Sequence, residues 1–261
     1  MNASALRSFV VYCLDVGKVL VRDDGSVLPG STFAWARVER DARGEIAEHH
    51  GNDPRSLVDS LGDDLAKRAL IALGVEAPMW FPRVAALQTT AGAVWRLFRE
   101  RFQAETGHEW SRQAGASASV RAPQLLWLAL NPLLHRGLQF DLVTSSTDWN
   151  AARDGETVPI LVWEAFCVAG FKPNYDAVAY ANLRSDEADA VASAMLFHRF
   201  LENGAEVPAN PQDGPILVSA DPNAPTFSLW SWVADLLGLD PARCDGRSYT
   251  VGATGCVWPE E

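Results

Sequence analysis

Lysines, cysteines and long uncharged apolar runs are all scarce in this chain. Only 3 of its 22 basic residues are Lys, and 33 acidic residues bring the formal net charge to −11 at pH 7. Tight, non-specific binding of duplex nucleic acid needs a basic surface that releases counterions, so this composition argues against such a binder. The sequence also contains no Walker loop, no G-x-S-x-G elbow and no H-E-x-x-H motif, which argues against the enzyme classes that carry them.

The few cysteines are too scattered to suggest a metal or redox motif. Cys13, Cys167, Cys244 and Cys256 form no C-x-x-C pair, so we expect reduced, buried thiols and a cytoplasmic location. No stretch long enough to cross a bilayer is free of charge, so we expect no membrane association. Residues 1–11 show no basic segment followed by a small-residue cleavage site, so we expect no secretory signal.

The beginning of the chain predicts an antiparallel meander. Residues 9–16 form a nearly continuous apolar run, typical of a buried central strand. Residues 32–38 alternate as a second strand, and residues 45–49 return as a third after the turn at 41–44. With 48% hydrophobic residues among 261, we expect one domain over 1–261.

The rest of the chain predicts alternating helices and strands. Asp53-Pro54 is a good helix start, and the spacing of Leu57, Leu61 and Leu65 predicts an amphipathic helix over 54–69. Residues 84–138 read as a helical insertion, with helices over 86–105 and 122–135 separated by a small, polar stretch over 106–119. The other predicted elements are strands over 70–75, 158–163, 216–219 and 247–252 and helices over 186–202 and 227–238.

Acidic residues stand where the apolar strands end. Asp15, Glu76 and Glu164 each follow such a run. If these strands are parallel neighbours, their carboxyl ends lie side by side, where open α/β sheets place their sites. Asp186 and Asp189 are three residues apart on a predicted helix, so they project from one helix face.

Gathering several carboxylates in one place predicts a cation site. Like charges in a partly desolvated site repel, and divalent cations remove that cost. Oxygen ligands without His or Cys suit Mg²⁺ or Mn²⁺ rather than zinc. Two such ions, roughly 3.5–4 Å apart, would activate water and stabilise the leaving oxygen of a phosphodiester. Taken singly, a strand-end acid can instead cap a helix or face water, and Asp186 can be a first-turn acid that interacts with the helix dipole.

The order of these acids resembles a known superfamily. Asp15 on the first strand, Glu76 after the fourth and Asp186-x-x-Asp189 on a late helix resemble the ribonuclease-H-like superfamily, notably its Holliday-junction resolvase branch. Four short segments are also similar to a bacterial family of uncharacterised, predicted ribonuclease-H-like nucleases. They are Val75-Glu-Ala-Pro78, Trp163-Glu-Ala-Phe166, Glu187-Ala-Asp-Ala190 and the small-residue stretch from Trp110 to Ser117.

The resemblance, which spans about 9 to 252, implies both a fold and a site. The fold is a ribonuclease-H-like α/β mixed sheet, in which an antiparallel meander is followed by parallel strands flanked by helices. The implied activity is metal-dependent hydrolysis of a nucleic acid or nucleotide. The implied catalytic metal ligands are Asp15, Glu76, Glu164 and Asp189, with Asp186 as an auxiliary ligand.

Three further residues are candidates for substrate binding. Arg83 and Arg112 follow Glu76 and Trp110 in loops that could reach the mouth of the site and contact a phosphate. Ser117, in Gly115-Ala-Ser117, could offer backbone N–H groups to a phosphate. A surface ion pair for the arginines and a plain helix start for Ser117 are the alternatives.

Two other functions compete with a nuclease. The acidic balance favours a ribonuclease-H-like fold that serves as a non-catalytic binding or assembly module. Asp15-x-Gly17 suggests a sugar or acid kinase of the actin-like superfamily, but that fold needs two duplicated domains and Gly-rich adenosine loops, and we find neither in the sequence.

Overall fold

A mixed sheet with helices on both faces forms the centre of the molecule. The computed structural model describes residues 9–17, 31–77, 79–82, 112–151, 157–165, 183, 185–202, 226–244 and 249–251. The strands are β1 (Phe9–Asp15), β2 (Ala34–Arg40), β3 (Ile46–Gly51), β4 (Leu70–Val75), β5 (Trp80–Pro82), β6 (Phe140–Val143), β7 (Val158–Ala165), β8 (Thr226–Ser228) and β9 (Tyr249–Val251). The helices are α1 (Pro54–Ala66), α2 (Arg112–His135), α3 (Ser146–Ala151), α4 (Ser185–Glu202), α5 (Leu229–Leu236) and a 3₁₀ turn at Pro241–Cys244.

The large sheet combines antiparallel and parallel pairing. Its order is β3-β2-β1-β4-β7-β6, and β9 also pairs with β7. Strands β1, β2 and β3 pair antiparallel, which confirms the predicted meander. Strands β1, β4, β7, β6 and β9 are parallel to one another, so their carboxyl ends share one edge of the sheet. Strands β5 and β8 form a separate antiparallel pair.

Most predicted elements occur near their predicted positions. Helix α1 begins as expected, since Oδ1 of Asp53 accepts a hydrogen bond from the backbone N–H of Ser56 (2.9 Å) and Pro54 occupies the first turn. The predicted separator over 106–119 was wrong from Arg112 onward, because α2 already begins there. The predicted helix over 86–105 and strand over 216–219 lie outside the described residues. None of the described helices is long and apolar enough to cross a membrane.

Alternating side chains divide the core between the two faces of the sheet. Tyr12 and Leu14 of β1 point to the side that we call face one, where they pack with α1, α2 and α5. Cys13 points to the opposite side, face two, which is covered by α4 together with Trp149 of α3. Every side chain on a strand can therefore be assigned to a face by its register.

Candidate metal and catalytic site

Two neighbouring strands end in carboxylic acids at the same edge of the sheet. Leu14 lies opposite Val75 in the parallel pairing of β1 with β4, so Asp15 and Glu76 follow at equivalent positions. The backbone N–H of Glu76 donates to the carbonyl of Leu14 (2.7 Å), which holds the two strand ends together. The carboxyl groups of Asp15 and Glu76 share a hydrogen bond. Such a bond requires a proton on one of them.

Helix α4 brings two more acids to the same place from face two. It packs across β1 and β2. Asp186 lies in its first turn, and Asp189 follows three residues later with only 6% of its surface exposed. Both carboxylates act electrostatically on Asp15. We refer to Asp15, Glu76, Asp186 and Asp189 as the acidic cluster.

Burial and neighbouring negative charges both disfavour the ionised form of Asp15. Burial, and next to it the negative charge of Asp186, raises the pKa of Asp15 from its ordinary 3.8 to about 7, and Asp189 adds to the effect. The backbone N–H of Gly17, which donates to Oδ1 of Asp15 (3.0 Å), works in the opposite direction. Burial, with smaller contributions from Glu76 and Asp15, also raises the pKa of the Cys13 thiol. A cation placed here would relieve the repulsion.

The cluster has the right donors for a hard cation but not a closed coordination shell. All four side chains offer carboxylate oxygens, which are the preferred ligands of Mg²⁺ and Mn²⁺. Among the residues that the structure describes, however, no three His, Cys, Asp or Glu side chains are arranged to hold a metal ion. Ion binding would therefore have to draw the carboxylates together.

Aromatic packing fixes α4 beneath the acids. The indole of Trp163 on β7 lies over Gly74, where any Cβ would collide with the ring. Trp163 stacks on Phe197 of α4, with ring centroids 4.4 Å apart. Phe197 is eight residues beyond Asp189 and Ser193 is four beyond it, so these side chains lie along one side of the helix. Ser193 hydrogen-bonds to Cys13 of β1, and this contact ties the helix to the strand that carries Asp15.

Glu164, which the sequence predicts as a ligand, lies by its register on the other face of the sheet from Asp15. It lies opposite Val75, in the same row as Leu14, and both of those side chains belong to the core of face one. Its side chain is fully buried, and Oε2 accepts a hydrogen bond from the backbone N–H of Met79 (2.8 Å).

An arginine that the sequence did not indicate contacts the backbone just after Asp15. Gly17, two residues after Asp15, has φ +32, and a Cβ there would collide with the carbonyl of Thr32. The carbonyl of Gly17 accepts a hydrogen bond from Nη1 of Arg121, an exposed residue of α2 (2.7 Å). No local motif indicates this contact, because it depends on how α2 packs against face one.

The three residues predicted to bind substrate cannot be placed at the site. Arg83 lies outside the described residues. Arg112 and Ser117 lie in the first turns of α2, but their side chains are not among those described. Their predicted roles remain predictions.

Comparisons with known proteins assign no family to this chain. No family model matches it. Searches of the curated proteins and of the solved structures gave no match either. The case for function therefore depends on the sequence pattern and on the geometry of the acidic cluster.

Proposed function

We propose that this chain is a ribonuclease-H-like, divalent-metal-dependent nuclease or phosphodiesterase. One observation carries the proposal: Asp15, Glu76, Asp186 and Asp189 come from three elements far apart in the chain and interact at one edge of the sheet. Buried like charges are costly to assemble. An acidic cluster that folding creates at the carboxyl ends of parallel strands is typical of a functional site.

The strand order supports the proposed fold. An antiparallel β1-β2-β3 meander continues through β1 into parallel strands β4 and β7. This is the arrangement that the resemblance implies. The acids occupy the end of β1, the position after β4 and the start of a late helix, which is also the order that the resemblance implies.

The acidic cluster would hold Mg²⁺ or Mn²⁺, with Glu76 and Asp189 as ligands together with Asp15, and with Asp186 as an auxiliary. Bound there, the ions would supply an activated water and stabilise the leaving oxygen of a phosphodiester. Asp15 has to lose its proton to ligate, which its pKa of about 7 permits near neutral pH.

Arg121 supplies the local positive charge that the composition lacks overall. Its Nη1 contacts the loop that follows Asp15, and the side chain reaches solvent. A guanidinium in this place can bind a phosphate with its other N–H groups. Because Arg121 contacts Gly17 rather than the acids themselves, it would bind a phosphate next to the one being cleaved.

The test is cleavage of single-stranded, duplex and branched oligonucleotides with Mn²⁺ or Mg²⁺. We expect metal-dependent cleavage of at least one substrate by the wild type and background rates for Asp189→Asn. Asp59→Asn is the matched control, since it changes an exposed carboxylate on α1 and should retain activity. Equal cleavage by wild type and Asp189→Asn would show that another centre or a contaminant is responsible.

The non-catalytic binding or assembly module remains the second candidate. It is favoured by the absence, among the described side chains, of three groups arranged to hold a metal, and by the net charge of −11. A folded wild-type protein that neither responds to Mn²⁺ nor cleaves any of the three substrates would support this function instead.

A further inference from the structure

Glu164 is a fully buried acid on β7, paired with the last residue of the strand that leads into Glu76. We infer that Glu164 is a positioning residue: it holds the turn that carries Glu76 and does not bind the metal. This inference rests on the proposed function, because it concerns how one proposed ligand is placed.

The register of β7 determines where Glu164 points. Asp15 lies two residues after Cys13 on β1, so it shares face two with Cys13. Glu164 lies opposite Val75, and Val75 lies opposite Leu14, in a row whose other members belong to face one. The residue of β7 in the row of Asp15 and Glu76 is Ala165, which is buried on face two. Glu164 is thus one residue away from the position in the row of Asp15 and Glu76. Because successive side chains of a strand point to opposite faces, this difference places Glu164 on face one.

Hydrogen bonds from two strands fix the segment that contains Glu76. At its start, the N–H of Glu76 donates to the carbonyl of Leu14 on β1 (2.7 Å). At its end, the N–H of Met79 donates to Oε2 of Glu164 on β7 (2.8 Å). The carbonyl of Met79 accepts from the N–H of Leu229, the first residue of α5 (2.7 Å). Glu164 therefore connects the turn after β4 to the strand on its far side.

Chemistry distinguishes a positioning acid from a metal ligand. The N–H of Met79 needs a hydrogen-bond acceptor but not a negative charge, and the amide oxygen of Gln provides such an acceptor. A hard cation, in contrast, prefers the carboxylate and loses affinity when a ligand becomes an amide. Partners that orient metal ligands typically change metal affinity by about 10–100-fold when they are removed.

The experiment compares the Mn²⁺-induced rise in Tm among full-length variants. We expect a rise in wild type, no rise in Asp15→Asn and a rise comparable with wild type in Glu164→Gln. Glu164→Ala should bind Mn²⁺ about 10–100-fold more weakly. The control Leu61→Ala removes a buried side chain of α1 on face one and should keep wild-type affinity although it lowers the starting Tm.

A second measurement needs no variant. We expect the backbone amide of Met79 to be equally protected from hydrogen exchange in metal-free protein and with saturating Mg²⁺. If Glu164 became a ligand, its carboxylate would leave Met79 and the amide would exchange faster. Faster exchange with Mg²⁺, or a Glu164→Gln protein that behaves like Asp15→Asn, would overturn the inference. A wild type that shows no rise with Mn²⁺ would instead overturn the proposed function, and with it the site that Glu164 serves.

Discussion

Buried charged side chains have oppositely charged partners on face one and like-charged neighbours on face two. On face one, the guanidinium of Arg37 donates to both carboxylate oxygens of Asp64 (2.7 and 3.0 Å), and the hydroxyl of Tyr12 donates to the same carboxylate (2.6 Å). Arg37 also donates to both oxygens of Glu39. On face two, the strongest charges acting on Asp15 are the carboxylates of Asp186 and Asp189.

This difference separates charge that stabilises the fold from charge that strains it. On face one, opposite charges pair with satisfied hydrogen bonds. Burial, and to a smaller extent the charge of Asp64, raises the pKa of Tyr12 far above its ordinary value, so its hydroxyl remains a hydrogen-bond donor. Burial, together with the like charges of Asp186 and Asp189, raises the pKa of Asp15 and makes the metal-free fold less stable at neutral pH. Removing a charge from the face-one network should therefore lower the free energy of unfolding. Removing an acid from the acidic cluster should raise it in metal-free protein.

The largest expected effect is on face one. Asp64→Ala leaves Arg37 buried without its main partner and should lower the free energy of unfolding by about 3–5 kcal/mol. Urea unfolding measures the change. Asp59→Ala is the control, because its ion pair with Arg136 (3.0 Å) is about half exposed, and it should cost less than about 1 kcal/mol. Equal losses in the two variants would contradict the stabilising role of the face-one network.

Tyr12→Phe tests the same network with a smaller change. The ring remains to pack against Trp35, but Asp64 and Ser60 lose the hydroxyl that bonds both. We expect a loss of about 1–3 kcal/mol in urea unfolding. The Mn²⁺ response should be unchanged, and a reduced response would mean that the two faces are coupled.

The next effect concerns substrate rather than stability. Arg121→Ala should raise KM for an oligonucleotide about 10–100-fold, since a hydrogen bond to a charged group contributes about 1.5–3 kcal/mol. Cleavage of bis(p-nitrophenyl) phosphate, which has no neighbouring phosphate, should be unaffected. Arg136→Ala, which changes the residue directly after α2, is the control. A loss shared by both substrates would remove Arg121 from its proposed role.

The last prediction concerns the acidic cluster, where removing a charge should raise the free energy of unfolding instead of lowering it. Because the pKa of Asp15 rises from 3.8 to about 7 on folding, the native state binds more protons in that interval and loses stability as the pH increases through it. A shift of about three pKa units corresponds to about 4 kcal/mol, so Asp15→Asn should stabilise metal-free protein at pH 8 by up to that amount. The gain should vanish near pH 3.5. Urea unfolding at both pH values checks the sign, and a gain that is equal at both would contradict it.

Local pattern predicted the elements well but not the pairing that positions side chains. The apolar run over 9–16 is recognisable as a central strand, and β1 occupies Phe9–Asp15. The predicted strand over 158–163 placed Glu164 just beyond its end, whereas β7 continues to Ala165. That short extension places Glu164 within the strand, and its pairing with Val75 puts it on face one. Register depends on neighbouring strands, so one strand read alone could not reveal it.

The face-one network shows a signal that the sequence did contain. Leu57, Leu61 and Asp64 follow the spacing of one helix face, so Asp64 belongs to the apolar stripe of α1 rather than to its charged side. The structure buries Asp64 with 2% exposure. Its partner Arg37 could not be predicted, because β2 and α1 meet only in the folded protein. The same limit applies to Arg121, whose contact with Gly17 depends on tertiary packing.

Uptake of Mn²⁺ by metal-free protein at pH 8 tests the central claim most directly. Free Mn²⁺ gives an electron paramagnetic resonance signal that disappears on binding. We predict that wild type removes this signal and that Asp15→Asn and Asp189→Asn bind at least about tenfold more weakly. A wild type that leaves the signal unchanged, or variants that bind as well as wild type, would show that these acids do not form a cation site.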